Sequence, residues 1–177
     1  LIYRITHSAA ILGLMSLANS LPMLFFSLVG GIMADRMQKK YVILGGYAGS
    51  AVISLGVAVA LITGFLSPGK ASSLWILLGY SLLQGVIQGL MMPARQAIIP
   101  QIVSHDQVMN AVALNTLGMN ALRLVAPAIA GFAVELFDFQ AVYLAMTALY
   151  ILAVGFTAML PLTGTAAFKS RGTVEDL

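Results

Sequence analysis

Polar positions along this chain fall in narrow bands between long apolar runs. No residue in 8–34 is charged, and none in 41–66. Each run exceeds the roughly 20 residues a helix needs to cross hydrocarbon. The pattern therefore predicts two membrane helices joined by a tight charged hinge, with Asp35 opening the turn. A third span is expected over about 74–93, a fourth ending before Glu135, and a fifth over about 139–160, stopped by Pro161. Between them lie a turn-rich loop at 67–73, a longer loop at 94–110 containing Pro100, and a short acidic turn at 135–138. Ser104-x-x-Gln107 has capping-box spacing and predicts the start of the fourth helix. Residues 1–7 read as a polar-edged lead-in and 163–177 as a polar tail. The expected fold is all-α: a polytopic membrane helix bundle over residues 1–161, followed by a separate segment at 162–177.

Composition agrees with the pattern. Of 177 residues, 60% are hydrophobic and only 8% charged, where soluble domains carry about a quarter charged. The net charge of +3 sits in links rather than in a patch, so it reads as topology and not as a nucleic-acid surface. With no cysteine, disulfides and thiolate metal sites are excluded. No positively charged region or small-residue cleavage pattern precedes the first run, so no signal peptide is read.

The basic residues set sidedness. Arg36, Lys39, Lys40, Arg95, Lys169 and Arg171 fall on one side, against Arg4 and Lys70 on the other. Lys and Arg concentrate on the cytoplasmic side of a membrane, so the hinge is expected there and Leu1 outside. An outside terminus lacking Met is most simply explained by one further span upstream, which would make six with both ends cytoplasmic.

Polar groups inside spans are costly and mark functional interiors. The first span holds Asn19, the third Gln84 and Gln88, and the fourth Asn115, Asn120 and Arg123; the second and fifth hold no amide or charge. Three helices thus read as cavity-facing and two as lipid-facing. Ser81, Gln84, Gln88 and Arg95 share one helical face, as do Thr116, Asn120, Arg123, Pro127 and Gly131. Pro127 cannot donate to the carbonyl of Arg123, which predicts a bend supported by Gly131. Gln84 and Gln88 have an alternative use as hydrogen-bonding partners of a neighbouring helix. An arginine at mid-span costs roughly 2.5–3.5 kcal/mol on insertion, which favours a cavity or polar network for Arg123. Small residues four apart (Gly45 and Gly49, Gly85 and Gly89, and Gly56, Ala60 and Gly64) have the spacing that permits close helix approach.

The hinge Gly31-x-x-Ala34-Asp35-Arg36-x-x-Lys39-Lys40 resembles the loop 2–3 signature of the major facilitator superfamily, with Met33 where Leu is expected and Gln38 where Gly is expected. The resemblance implies half of a twelve-span secondary transporter. The spans here would be helices two to six of its amino-terminal half, residues 162–177 would begin the central linker, and the first helix and carboxy-terminal half would be missing. It makes Gly31, Asp35, Arg36, Lys39 and Lys40 a conformational gate. The 123–131 segment is similar to the helix-five motif of the superfamily's exporters, though Ala126 and Ala130 replace two glycines. Together with Met92-Pro93-Ala94-Arg95-Gln96-Ala97, Asn110, Asn115 and Asn120, it looks most like the branch of macrolide-efflux pumps and the enterobactin exporter. The arginine that many proton-coupled members carry on helix four would fall near Ser81 and is absent.

These readings make the chain part of a multi-pass plasma-membrane (inner-membrane) transporter that exports drugs or siderophore-like amphiphiles by alternating access. Asn19, Gln84, Gln88, Asn115, Asn120 and Arg123 would line the substrate cavity. The alternative is a non-transporting membrane scaffold or assembly module. Expected partners are the bilayer, a small-molecule substrate and the missing half, with no nucleic acid. No metal or cofactor is expected. Proton coupling is possible, but no acidic residue lies inside a span to carry it. No Walker motif suggests ATP, and no catalytic constellation suggests an enzyme. The absence of cysteine makes topology directly measurable: Lys39→Cys is expected to react with an impermeant thiol reagent only from the cytoplasm, and Lys70→Cys only from outside. Labelling of both from one face would refute the five-span arrangement.

Overall fold

A computed structural model describes residues 9–66 and 71–160. The expectations for the lead-in at 1–7, most of the 67–73 loop and the segment at 162–177 lie outside the described residues. The order is α1 (Ala9–Arg36), α2 (Lys39–Ile62), α3 (Ala71–Ile102), a 3-10 turn (His105–Gln107), α4 (Val108–Leu136) and α5 (Phe139–Met159). The fold is an all-α polytopic bundle whose five helices are each long and apolar enough to cross a membrane. Their links are short, so successive helices run antiparallel.

Three boundaries depart from expectation. The hinge lies at Met37-Gln38 rather than at Asp35, which occupies the last turn of α1. Gln38 caps α2 in an extended conformation, φ −64° and ψ 119°. That position needs no left-handed backbone, so the missing signature glycine costs nothing there. Secondly, α3 does not stop at Pro93 but continues through Pro93 and Pro100 to Ile102. Membrane helices tolerate proline because neighbours and local adjustments re-satisfy the freed backbone groups. Met91, Ala94 and Ile98, spaced for one helical face, pack with Ala34 and Ile43 and hold this extension to the bundle. Finally, Ser104 starts the 3-10 turn through its backbone, Gln107 N–H donating to Ser104 O at 2.9 Å, without a side-chain cap. Elsewhere, α2 ends where Gly64 adopts φ +71°, the left-handed conformation that commonly closes a helix. Leu160 is extended, as a residue before proline tends to be.

In lipid, helices gain nothing from burying apolar surface against each other, so close packing and interhelical hydrogen bonds must hold them. The tightest packing is between α1 and α3. A Cβ at Gly89 would lie 2.7 Å from the carbonyl oxygen of Met23, and one at Gly30 would lie 2.7 Å from the carbonyl oxygen of Gly89. A Cβ at Gly85 would collide with the Asn19 carbonyl. These obstacles are backbone and cannot rotate away. Asn19 Nδ2 donates to Ser81 O at 3.2 Å beside them. Of the other small-residue sets, Gly49 meets the Ile87 side chain, while a Cβ at Gly45 or Gly56 would meet open space.

The second seam joins α2 to α5, with α3 packed alongside. Ser54 Oγ donates to Tyr143 O at 3.2 Å, and Tyr80 of α3 meets the Tyr143 ring edge-on, centroids 5.9 Å apart. At the hinge end, Lys40 Nζ donates to Ala158 O at 2.8 Å and Leu160 O at 2.6 Å. A cation there complements the negative end of the α5 dipole. The remaining helix, α4, buries none of its residues and touches its neighbours sparingly.

Gly89→Val is expected to push α1 and α3 apart and lower the thermal midpoint in detergent by several degrees. Gly56→Ala, in open space on α2, is expected to leave it unchanged or raise it slightly, since Ala is favoured over Gly in helices by about 1 kcal/mol. Equal effects from the two would show that the glycine contact does not fasten the bundle.

Candidate functional site

A cavity of about 310 Å³ opens between α1, α3 and α4. No residue of α2 or α5 lines it, matching the division drawn from polar content. One wall is α3, with Gln88, Met92, Arg95 and Gln96; the opposite wall is α4, with Asn115, Thr116, Met119, Asn120 and Arg123; Met23 of α1 closes a side. The glycine contact explains the α1 contribution, because Met23 rides over Gly89, next to Gln88. Gln88 and Arg95 are partly buried, while the α4 residues are exposed, so the cavity is open along α4.

Arg123 lies near the middle of α4, roughly 20 Å from either end at 1.5 Å per residue. Arg95 lies about 10 Å from the end of α3 that joins the hinge side. Pro127 and Pro100 sit four residues after Arg123 and Gln96, so those two carbonyls lack the amide that would normally bond them. Thr116 spends its hydroxyl hydrogen on Val112 O at 2.8 Å.

The cavity gathers four of the six residues marked by sequence: Gln88, Asn115, Asn120 and Arg123. The other two lie elsewhere. Asn19 sits in the α1–α3 seam, bonded to the Ser81 carbonyl. Gln84 turns toward α5, where its Nε2 donates to Tyr150 Oη at 3.2 Å and its Oε1 is buried without a partner. A helical wheel places Gln84 with Gln88 and Arg95, but it does not say which neighbour covers each level. At Gln84 that neighbour is α5. Arg95, which the sequence sets on one face with Gln84 and Gln88, and Gln96 both reach the cavity because α3 continues past the expected end of the span at Pro93. The apolar spacing of Met91, Ala94 and Ile98 was the available signal that the helix continues.

At the hinge, Asp35 and Arg36 are exposed, Gly31 has open space above it, and Lys40 is engaged with the end of α5. Among the described residues, no three His, Cys, Asp or Glu side chains are grouped as metal ligands.

Residues 1–168 match the sequence model of a family described as transmembrane secretion effector, a branch of the major facilitator superfamily. The chain is also 26% identical over 148 residues to the staphyloferrin A transporter of Staphylococcus aureus (strain NCTC 8325 / PS 47). That similarity covers 84% of this chain and 36% of the relative, so the chain spans about a third of the length of the curated protein it matches. No solved structure matches.

Gln84 gives a test of placement. Replacing it with Met removes an unpaired buried oxygen, a group that costs about 1–3 kcal/mol, along with one hydrogen bond. Gln84→Met is expected to keep or raise the thermal midpoint and leave ligand binding unchanged. Loss of binding at normal stability would return Gln84 to the cavity.

Proposed function

The chain belongs to the transmembrane secretion effector family of the major facilitator superfamily, a transporter family, and from that premise we propose that it forms the amino-terminal half of a plasma-membrane exporter of amphiphilic small molecules. Transport in this reading is secondary and proceeds by alternating access. The observation that carries it is the cavity itself. Its polar groups come from α3 and α4, with Met23 of α1 closing a side, and polar groups within a span are expensive unless used.

The open side of the cavity, along α4, is where a second half would complete the site. The family description favours outward movement, and the name of the Staphylococcus aureus relative favours a small-molecule cargo. Gln88, Asn115, Asn120 and Arg123 are the contacts we assign to substrate, with Asn19 and Gln84 as fasteners of the bundle. Pro127 and Gly131 are assigned as the bend of α4. Gly31, Asp35, Arg36, Lys39 and Lys40 form the gate. Lys40, holding the end of α5, ties gate movement to the segment that follows. Asp35, exposed at the end of α1, is free to meet a helix end of the opposite half, where a carboxylate gains roughly 0.3–1 kcal/mol.

Flux in proteoliposomes tests the proposal, using staphyloferrin A and a panel of amphiphilic drugs as probes. The 177-residue chain alone is expected to insert without transporting, and the protein with both halves to transport at least one probe. In that protein, Asp35→Asn is expected to slow turnover while leaving affinity unchanged. Flux through this chain alone would overturn the two-half reading. No flux from the complete protein for any probe would favour the scaffold alternative.

A further inference from the structure

The cavity carries charge of one sign. Among the described residues, Arg95 and Arg123 both line it, and no Asp or Glu does. The acidic residues among those described stand at helix ends or links: Asp35 in the last turn of α1, Asp106 in the 3-10 turn, Glu135 in the last turn of α4, and Asp138 before α5. Neither arginine has a hydrogen-bonded or ion-paired partner among the described residues.

A lysine so placed could shed its proton, but a guanidinium does not deprotonate in proteins. Two fixed positive charges facing one cavity, Arg123 near mid-membrane and Arg95 toward the hinge end, therefore favour a counter-anion there. Arginine's planar fork suits a carboxylate in particular, donating two parallel hydrogen bonds to its oxygens. Around the two arginines, Gln88, Gln96, Asn115 and Asn120 add neutral donors, and Met23, Met92 and Met119 supply a soft apolar lining that adapts to irregular shapes. The volume of about 310 Å³ is at the low end for small-molecule sites.

We propose that this cavity binds an amphiphilic anion, with its carboxylate held between Arg95 and Arg123 and its apolar body on the methionines, and that it rejects cations. The proposal rests on the transporter reading only in making that anion the cargo. An acidic lipid headgroup offers the same oxyanion chemistry, and the experiment separates the two sources.

The test uses the complete protein in nanodiscs and follows phenylglyoxal modification of individual arginines by peptide mass spectrometry. The probe is 2-naphthoate. The controls are 2-naphthamide, which has the same shape without charge, and the lipophilic cation tetraphenylphosphonium. In phosphatidylcholine discs, 2-naphthoate is expected to slow modification of Arg95 and Arg123 severalfold without affecting exposed Arg36, and the controls to have no effect. Arg123→Gln is expected to weaken naphthoate binding about tenfold or more, as befits a lost charge-assisted hydrogen bond, with Arg123→Lys between it and wild type.

Equal protection by the amide or the cation would overturn the proposal. So would protection by phosphatidylglycerol discs alone with none by naphthoate, which would make this a lipid site. An absence of protection in a protein that transports other probes would sink the anion proposal and leave the transporter reading standing. Naphthoate protection in a protein without flux would do the reverse. Protection in wild-type protein needs no variant, so poor folding of Arg123→Gln does not obscure the result.

Discussion

The backbone contact between α1 and α3 is the constraint on which the rest of this bundle depends. Surrounded by lipid, apolar side chains have nothing to gain by leaving one neighbour for another. What remains is how closely two helices can approach and which polar groups they pair. Gly30, Gly85 and Gly89 let main chain meet main chain, and Asn19 adds a hydrogen bond across the seam to the Ser81 carbonyl. A side chain at any of the three would meet a carbonyl oxygen, not a group that can swing aside. The contact also sets the position of the site, since it fixes Met23 and Gln88 at one corner of the cavity.

With α1 and α3 locked, the polar inventory separates by role. Asn19 and Gln84 serve neighbouring helices of the same chain, each donating its amide N–H across a packed seam. Gln88, Asn115, Asn120 and Arg123 face open volume instead. Residue type does not distinguish the two groups. What distinguishes them is whether a helix stands opposite at that level: α3 is covered by α1 and α5 around Gln84 and faces α4 from Gln88 onward.

The five spans and the three-to-two division of helices were legible because they rest on quantities a sequence carries directly. Uncharged runs longer than a membrane is thick leave little choice of structure, and the cost of polar groups in lipid sorts helices by their amides and charges. The cavity was legible only in part. The expected third span ends at about Pro93, but in the bundle the apolar pattern of Met91, Ala94 and Ile98 carries the helix past it. That single boundary puts Gln96 in the wall beside Arg95, which the helical face already held with Gln88. Gln84 was placed with Gln88 because a wheel carries periodicity and no neighbours. Gly85 and Gly89 could not be told from Gly45 and Gly49 by spacing alone, because approach depends on what stands opposite and not on the glycines themselves.

The helix with the largest stake in the cavity is the least held. Five of the cavity residues are on α4, yet α4 buries nothing of itself and touches the other helices sparingly. Its position is set from its ends: a link of Val103 to Gln107 on one side and Phe137-Asp138 on the other. The Phe137 N–H bonds back to Ala133 O at 2.8 Å and the Val142 N–H to Asp138 O at 3.2 Å, so the second link is ordered main chain. A helix anchored at both ends and unpacked along its length can tilt or bow with little loss of contact, and Pro127 removes one of the hydrogen bonds that would resist bowing near Arg123. The α1–α3 wall has no such freedom, because its contacts are backbone on backbone. Within the contacts of these five helices, change in the cavity is therefore cheapest on the α4 side, where Asn115, Asn120 and Arg123 would move together against Gln88 and Arg95.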